Sequence, residues 1–442
     1  MLSRPRMPAS VAAAALLLSL ASSCTLNRSG AGTAVECRRD TDCESGFCVN
    51  GTCIGESVDS GRPEDSGLDS GAPVEDSGLD AQVPPDAPPP PPDSGPPPGP
   101  LLDYAEATFT RGSVATWFDP ATGTLTRYAV HEPRILADGS IYVEGERTNF
   151  VLDSEAFESW FTDDSTVTAN LDVAPDGART AERWVALDDG GARAFLLGGP
   201  WGGASRPTAT ISIFAAAPGG SETFRQYWRG AGTHQFGEDR TVGAGWERFT
   251  VTREDMERNG VAQATTAAAR MLSIWGAQAE EGHFASQYIP TAGLRETRAA
   301  DTVVFGAAPA GMTSGPWTVE LAPGASSEAI VAAGGSWTVF EFGSIDESVR
   351  LRVGAGAVRV SVRTSGSPHV ETMPLTFDAH QVLTVSVDPS AGRLTVAGAS
   401  SGNGTTSASA WTFPAGPLRV GSGAPGLESY FGAIGRPSRG GM

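Results

Sequence analysis

From residue 101 onward, apolar and polar residues alternate in short runs. Thr208-Ala-Thr-Ile-Ser-Ile-Phe214, Arg248-Phe-Thr-Val-Thr252, Val349-Arg-Leu-Arg-Val353, Val358 to Arg363 and Val382-Leu-Thr-Val-Ser-Val387 all carry the pattern. A period of two places alternate side chains on opposite faces of a strand. Each run therefore predicts a strand with one apolar and one wet face. Two such sheets hide their apolar faces by packing against each other as a sandwich. Only Arg253 to Arg270 is permissive for a helix, and then a short or broken one. Residues 101–442 are too many for one sandwich, so two are expected, 101–301 and 302–442, with a boundary near Asp301. The fold class is all-β.

The N-terminal hundred residues read differently. Arg4 and Arg6 precede the apolar run Val11 to Leu20, which is far short of the ~20 residues that span a bilayer. Ala21-Ser22-Ser23-Cys24 follows at once. The arrangement resembles a bacterial lipoprotein signal. The resemblance implies that residues 1–23 are removed, that Cys24 carries the lipid, and that Thr25, where an aspartate would favour the inner membrane, directs the protein to the outer membrane and the cell surface. The alternative is an ordinary secretory signal that leaves Cys24 as a free thiol.

Four of the five cysteines, Cys37, Cys43, Cys48 and Cys53, fall close together. An even set in an exported segment reads as a disulfide framework, with three pairings open. The rival reading, zinc, has no C-x-x-C to support it. Cys37 to Cys53 resembles the small EGF-like or Dickkopf-like knots near the start of bacterial surface lipoproteins. That resemblance implies pairing of 37 with 48 and 43 with 53, within a unit 24–55. From Glu56 to Pro100, Asp-Ser-Gly recurs at Asp59, Asp65, Asp69, Asp76 and Asp93, and prolines accumulate from Pro84. Nothing there can bury apolar area, so a disordered, extended stalk is expected. The aspartates do not form a D-x-[DN]-x-[DN]-G calcium loop; a structural calcium elsewhere stays open, and no other cofactor or metal is expected.

Charge removes whole classes of partner. The chain has 31 basic residues, every one arginine, against 51 acidic ones, a net charge of -20. Such a chain suits neither nucleic acid nor its phosphates. Glycine at 55 and proline at 32 add to the case for short strands and turns.

Two stretches carry family resemblances. Phe109 to Asp119, Glu132-Pro-Arg134, Val143 to Asn149, Ser154 to Trp160, Val173 to Gly177, Ile274 to Gln278, Glu280-Glu-Gly282 and Tyr288-Ile-Pro290 occur in that order. Together they resemble a domain of phage-tail and bacterial surface proteins. The resemblance implies a galactose-binding-type jelly roll, as in carbohydrate-binding modules. Phe377 to Asp388, Gly392 to Val396, Leu418 to Ser422 and Tyr430 to Gly435 resemble a concanavalin A/laminin-G sandwich. That resemblance implies that His380 opens a buried strand.

Catalytic patterns are weak. Gly398-Ala-Ser-Ser-Gly402 fits G-x-S-x-G but has no helix to follow it. Gly421-Ser-Gly-Ala-Pro-Gly426 fits G-x-G-x-x-G, yet no helix opens after it to hold a pyrophosphate, so no nucleotide is expected. The carboxylates nearest to a glycosidase pair, Glu254, Asp255 and Glu257 or Asp346 and Glu347, read as solvated charges. The histidines 131, 234, 283, 369 and 380 lack metal-ligand spacing.

The remaining lead is aromatic. In Phe224-Arg-Gln-Tyr-Trp-Arg229, a strand would turn Arg225, Tyr227 and Arg229 to one side as a wet, ligand-binding face, helped by Trp201, His234 and Trp246. The competing reading makes these rings core. Trp160, Trp184 and Trp275 are assigned to core. The expectation is a lipid-anchored surface protein that binds a glycan or cell-surface polymer without catalysis. A structural or adhesive protein-binding module is the first alternative and a glycoside hydrolase the second.

Overall fold

The computed structural model describes residues 47–49, 52–54 and 100–442, less 188–194, 199–205, 231, 265–270, 344–347, 355–359, 365–369, 372–373, 408–409, 423–427 and 440–442. The signal segment, Cys24, Cys37, Cys43 and the stalk lie outside the described residues, and so do Trp201, Asp346 and Glu347. The chain divides into two compact units, Met1–Pro89 and Pro90–Met442. In the first, Phe47–Val49 and Thr52–Ile54 pair as an antiparallel hairpin that sets Cys48 opposite Cys53 along the backbone.

The second unit is all-β, with two short α-helices among the described residues, Ala310–Ser314 and Ser327–Ala332. Two eight-stranded sheets form its sandwich, each a row of seven strands with an eighth off the row: Glu428–Ser429 beside Ser336–Gly343 in one, Ser438–Arg439 beside Trp317–Pro323 in the other. One runs in the order Val370–Glu371, Val360–Thr364, Ser348–Gly354, Ser336–Gly343, Leu418–Val420, Thr302–Phe305, Thr108–Thr110. The other runs Gly404–Ser407, Arg393–Ala397, Leu383–Asp388, Trp317–Pro323, Gly432–Ile434, Ile141–Val143, Arg134–Ile135. The alternating runs do what their period dictates. Val349, Leu351 and Val353 from one sheet meet Leu383, Val385, Val387 and Trp317 from the other in a common core.

A boundary at 301 does not divide these sheets. Thr108–Thr110, Arg134–Ile135 and Ile141–Val143 precede it in the chain yet hydrogen-bond into the sheets built mainly from residues 302–442. Strand pairing here joins segments far apart in sequence, which no local pattern records. His380 also departs from expectation. It sits exposed in a turn at φ 62°, and the buried strand begins at Leu383.

Between those recruited strands and residue 302 the chain builds a further, nine-stranded antiparallel sheet. Its order is Ser165–Asp172, Ala181–Ala186, Met271–Glu281, Arg206–Ala216, Glu247–Gln263, Phe195–Leu197, Phe161–Asp163. The hairpin Ser221–Gly230 and Thr233–Gly243 joins through the second half of Glu247–Gln263. The helix-permissive stretch is thus strand up to Gln263, because pairing on both sides outweighs a weak local preference. The first half of this long strand pairs with Arg206–Ala216, the second half with Ser221–Gly230 and Phe195–Leu197. The sheet folds over along it. Ile211 and Ile213 of one layer pack with Phe224, Trp228 and Val261 of the other, together with Trp160 and Trp184.

The ordered motifs found in the sequence supply the buried polar joints of this unit. Asn149 donates to the carbonyls of Ala277 (3.2 Å) and Ile289 (2.8 Å) and accepts from the N–H groups of Val151 and Ala279, which uses its amide completely. Gln278 accepts from Ile289 N–H at 2.6 Å, and Glu144 from Gln287 N–H at 2.7 Å. Beside them Arg111, Arg134 and Arg298 surround Glu144 and Asp301, all five buried. Arg134 reaches Glu144 at 2.7 Å and Asp301 at 2.5 Å, and Arg111 reaches Asp301 at 3.1 Å. The surplus positive charge is spread over carbonyl oxygens. Arg111 donates to those of Ser113, Ala129 and Glu132, and Arg298 to that of Gly145.

Candidate functional site

Register decides which side chains share a face. Along Ser221–Gly230, Arg225 stands opposite Ala262, Tyr227 opposite Gly260 and Arg229 opposite Arg258. On the hairpin side, Phe236 stands opposite Tyr227 and His234 opposite Arg229. Across Glu247–Gln263, Phe195 stands opposite Ala262, and beyond it Asp163 opposite Phe195, with Phe161 two residues from Asp163. Directly opposed residues of antiparallel strands lie on one side of the sheet. Phe224, Trp228 and Val261 take the inner side, in the core. Phe161, Phe195, Tyr227, Phe236, His234 and the arginines 225, 229 and 258 therefore take the outer side.

Gly260 and Ala262 are too small to separate the strands on either side of them. The rings of Phe195 and Tyr227 close over this gap, centroids 4.6 Å apart. Phe161 continues the strip on one flank, 5.9 Å from Phe195. On the other flank Phe236 lies 4.9 Å from Tyr227 and nearly parallel, and His234 lies 5.6 Å away at 16°. The Tyr227 hydroxyl is hydrogen-bonded to His234 Nδ1. Arg225 caps the strip with its guanidinium 4.8 Å from the Phe236 centroid. Its Nε donates to the Gln263 carbonyl at 3.0 Å and lies 3.7 Å from Asp239.

Three residues were expected to bind ligand from the wet face: Arg225, Tyr227 and Arg229. Their common face is as the alternation requires. Their exposure is not. Tyr227 is 0% exposed, because Phe195, Phe236 and His234 cover its ring, and Arg225 is buried too. Arg229 alone of the three is half-exposed. The open rings are Phe161, 58% exposed, His234, and the half-buried Phe195 and Phe236. Phe161 and Phe195 sit far from the 224–229 run in sequence, so only pairing brings them in. Trp246 does not join them; it packs against the separate cluster that holds Phe118, Phe214 and Trp275 and donates to the Val173 carbonyl at 3.0 Å. Trp160, Trp184 and Trp275 are core.

A strip of this kind offers apolar ring faces for stacking, with planar donors at its edges. A second, open hollow of about 460 Å³ is lined by Thr208, Gln235, Thr252, Arg253, Glu254 and His283. Among the described residues no three His, Cys, Asp or Glu side chains converge as a metal site. Glu254 and Asp255 are exposed on their strand. Glu182 is the one described carboxyl displaced far upward, to about 9, by burial and then by the hydrogen bond and charge of Glu158. Ser400 lies in the turn between Arg393–Ala397 and Gly404–Ser407, with no helix after it. Gly421, at φ 70°, follows the strand Leu418–Val420 and passes so close to Val143 that a Cβ there would collide with its Cγ2.

No family model matches the chain, and no curated protein does. Among solved structures, the LG1–3 region of the laminin α2 chain superposes with a TM-score of 0.22 at 10% identity, covering 52% of this chain. The match spans 57% of that laminin chain, a little over half its length. Domains LG4–5 of the mouse laminin α1 chain superpose with a TM-score of 0.19 at 12% identity, covering 68% of this chain and 91% of that one.

Proposed function

We propose that the protein binds a glycan or cell-surface polymer without catalysis, through the outer strip of Phe161, Phe195, His234 and Phe236. The observation that carries the proposal is the strip itself. Phe161 and His234 are exposed, and Phe195 and Phe236 half-buried, on the outer layer of a sheet whose inner side already holds the core. Pyranose rings present an apolar C–H face to such a surface, and their hydroxyls accept from flanking arginines. Under this proposal the protein is a lipid-anchored outer-membrane protein, held by Cys24, with residues 56–100 lifting the sandwiches from the surface. The small-residue run Ala21-Ser22-Ser23 before Cys24 supports the anchor.

A glycan-array screen of the full chain, repeated on Phe161→Ala, tests the binding. Wild type is expected to retain a subset of glycans that the variant loses or holds at least tenfold more weakly. An empty array, or equal binding by both proteins, overturns the proposal. For the anchor, Cys24→Ala is expected to leave the membrane fraction or to fail to mature; wild type that carries no acyl mass overturns it.

A further inference from the structure

The outer strip is not uniform in charge along the strands. At the level of Arg225, acid and base alternate: Asp239 and Asp163 flank it in nearby strands. Four residues along, at the far side of the rings, Arg229 stands directly opposite Arg258, with His234 on the other side. Like charges opposed across a strand pair are unfavourable. The nearest acid is Glu257, whose carboxylate is 3.8 Å from Arg229 Nε, and that Nε is buried without a hydrogen bond. Arg258 forms no ion pair among the described residues. A chain of net charge -20 with 51 acidic residues has carboxylates to spare, yet beside the rings it gives Arg229 one long ion pair to Glu257 and Arg258 none among the described residues. A guanidinium pair of this sort matches a carboxylate or sulfate, each of which accepts planar, paired N–H donors.

We infer that the ligand of the ring strip is an acidic glycan, a polymer of uronic acid or sulfated sugar, whose anionic group is taken by Arg229 and Arg258 while its sugar face lies on Phe161 and Phe195. The inference rests on the binding role proposed above and adds the ligand class. Neither arginine belongs to the apolar core, and Arg258 is half-exposed.

Calorimetric titration of the full chain with polygalacturonate, dextran sulfate, neutral dextran and inorganic polyphosphate tests it. One or both acidic glycans are expected to bind at least tenfold more tightly than dextran and polyphosphate. The two acidic probes distinguish carboxylate from sulfate as the recognised group. Arg258→Gln is expected to lose tenfold or more in affinity for the preferred acidic glycan, with its melting temperature unchanged or raised by relief of the repulsion. Phe161→Ala is expected to weaken binding as well. Equal binding of dextran overturns the acidic ligand while leaving glycan binding standing. Equal binding of polyphosphate shows attraction by charge alone and overturns the glycan. Undiminished acidic binding in both Arg258→Gln and Arg229→Gln removes the arginine pair. No binding by any probe, with none on the array, removes the binding role and this inference together.

Discussion

Tyr227 and His234 lie face to face across a hairpin, their ring planes 16° apart and the tyrosine hydroxyl bonded to the histidine Nδ1. With Phe195 and Phe236, His234 turns an outward-facing tyrosine into a buried one. A side chain can point away from the main core and still be fully covered by neighbours on its own face. Tyr227→Ala should therefore destabilise the fold by about 3 kcal/mol, in the range of large-to-small changes at buried rings. Tyr227→Phe keeps the ring and should lose about 1 kcal/mol, the net worth of one hydrogen bond. Chemical denaturation measures both. An unchanged midpoint for Tyr227→Ala would mean that the ring is not held as described.

Phe161 should behave in the opposite way. At 58% exposure its side chain contributes little to packing, so Phe161→Ala should alter stability by no more than about 0.5 kcal/mol. Loss of one stacking ring should cost binding roughly 1–3 kcal/mol, the scale of a base stacked on an aromatic side chain. Melting and titration on the same variant separate the two effects. A large fall in melting temperature would make Phe161 a packing residue.

Asp301 holds two guanidinium groups, those of Arg111 and Arg134, where water does not reach. Asp301→Ala leaves both charges without their shared partner and should destabilise by about 3–5 kcal/mol. The same cluster gives an acid limit. Burial pushes the Glu144 carboxyl up, but the Arg298 and Arg134 guanidiniums more than offset it, and the group stays below its usual value. A carboxyl depressed in the folded state contributes stability that is present above its ordinary value and is lost as pH falls through the folded one. Unfolding followed from pH 5 downward should show this loss, and Glu144→Gln should flatten it. An identical acid profile in the variant would assign the acid limit to other groups.

Glu182 works in the reverse direction. Burial and the neighbouring Glu158 raise its carboxyl to about 9, so the folded state holds a proton that the unfolded chain releases near the ordinary glutamate value. Its contribution is complete below that value and declines as pH rises towards 9. Glu182→Gln, which cannot ionise, should lose less stability than wild type between pH 5 and 9. Parallel curves for the two proteins would show that Glu182 is already ionised at neutral pH.

The ordered motifs between Phe109 and Pro290 show why chemistry was hard to read from the chain. Glu144, Asn149, Gln278 and Glu280 are polar residues in memorable patterns, the usual mark of a site. All four are buried and spend their hydrogen bonds on backbone groups or on buried partners. Burial makes such residues as constrained as catalytic ones, since an unpaired polar group there is costly.

Alternation along single strands was enough to place the chain among the all-β folds and to set Phe224 and Trp228 on the face opposite Tyr227. These are local consequences of a two-residue repeat, and they hold wherever the strand goes. Strand partners were decided elsewhere. Only pairing carries Thr108–Thr110 and Ile141–Val143 into the C-terminal sandwich, makes the 253–263 segment a strand, and lays Phe161 and Phe195 beside Tyr227. Whether an outward ring is open or covered depends on those partners, because exposure is a property of neighbours brought together by the fold. Direction followed from the chain; contact required the sheet.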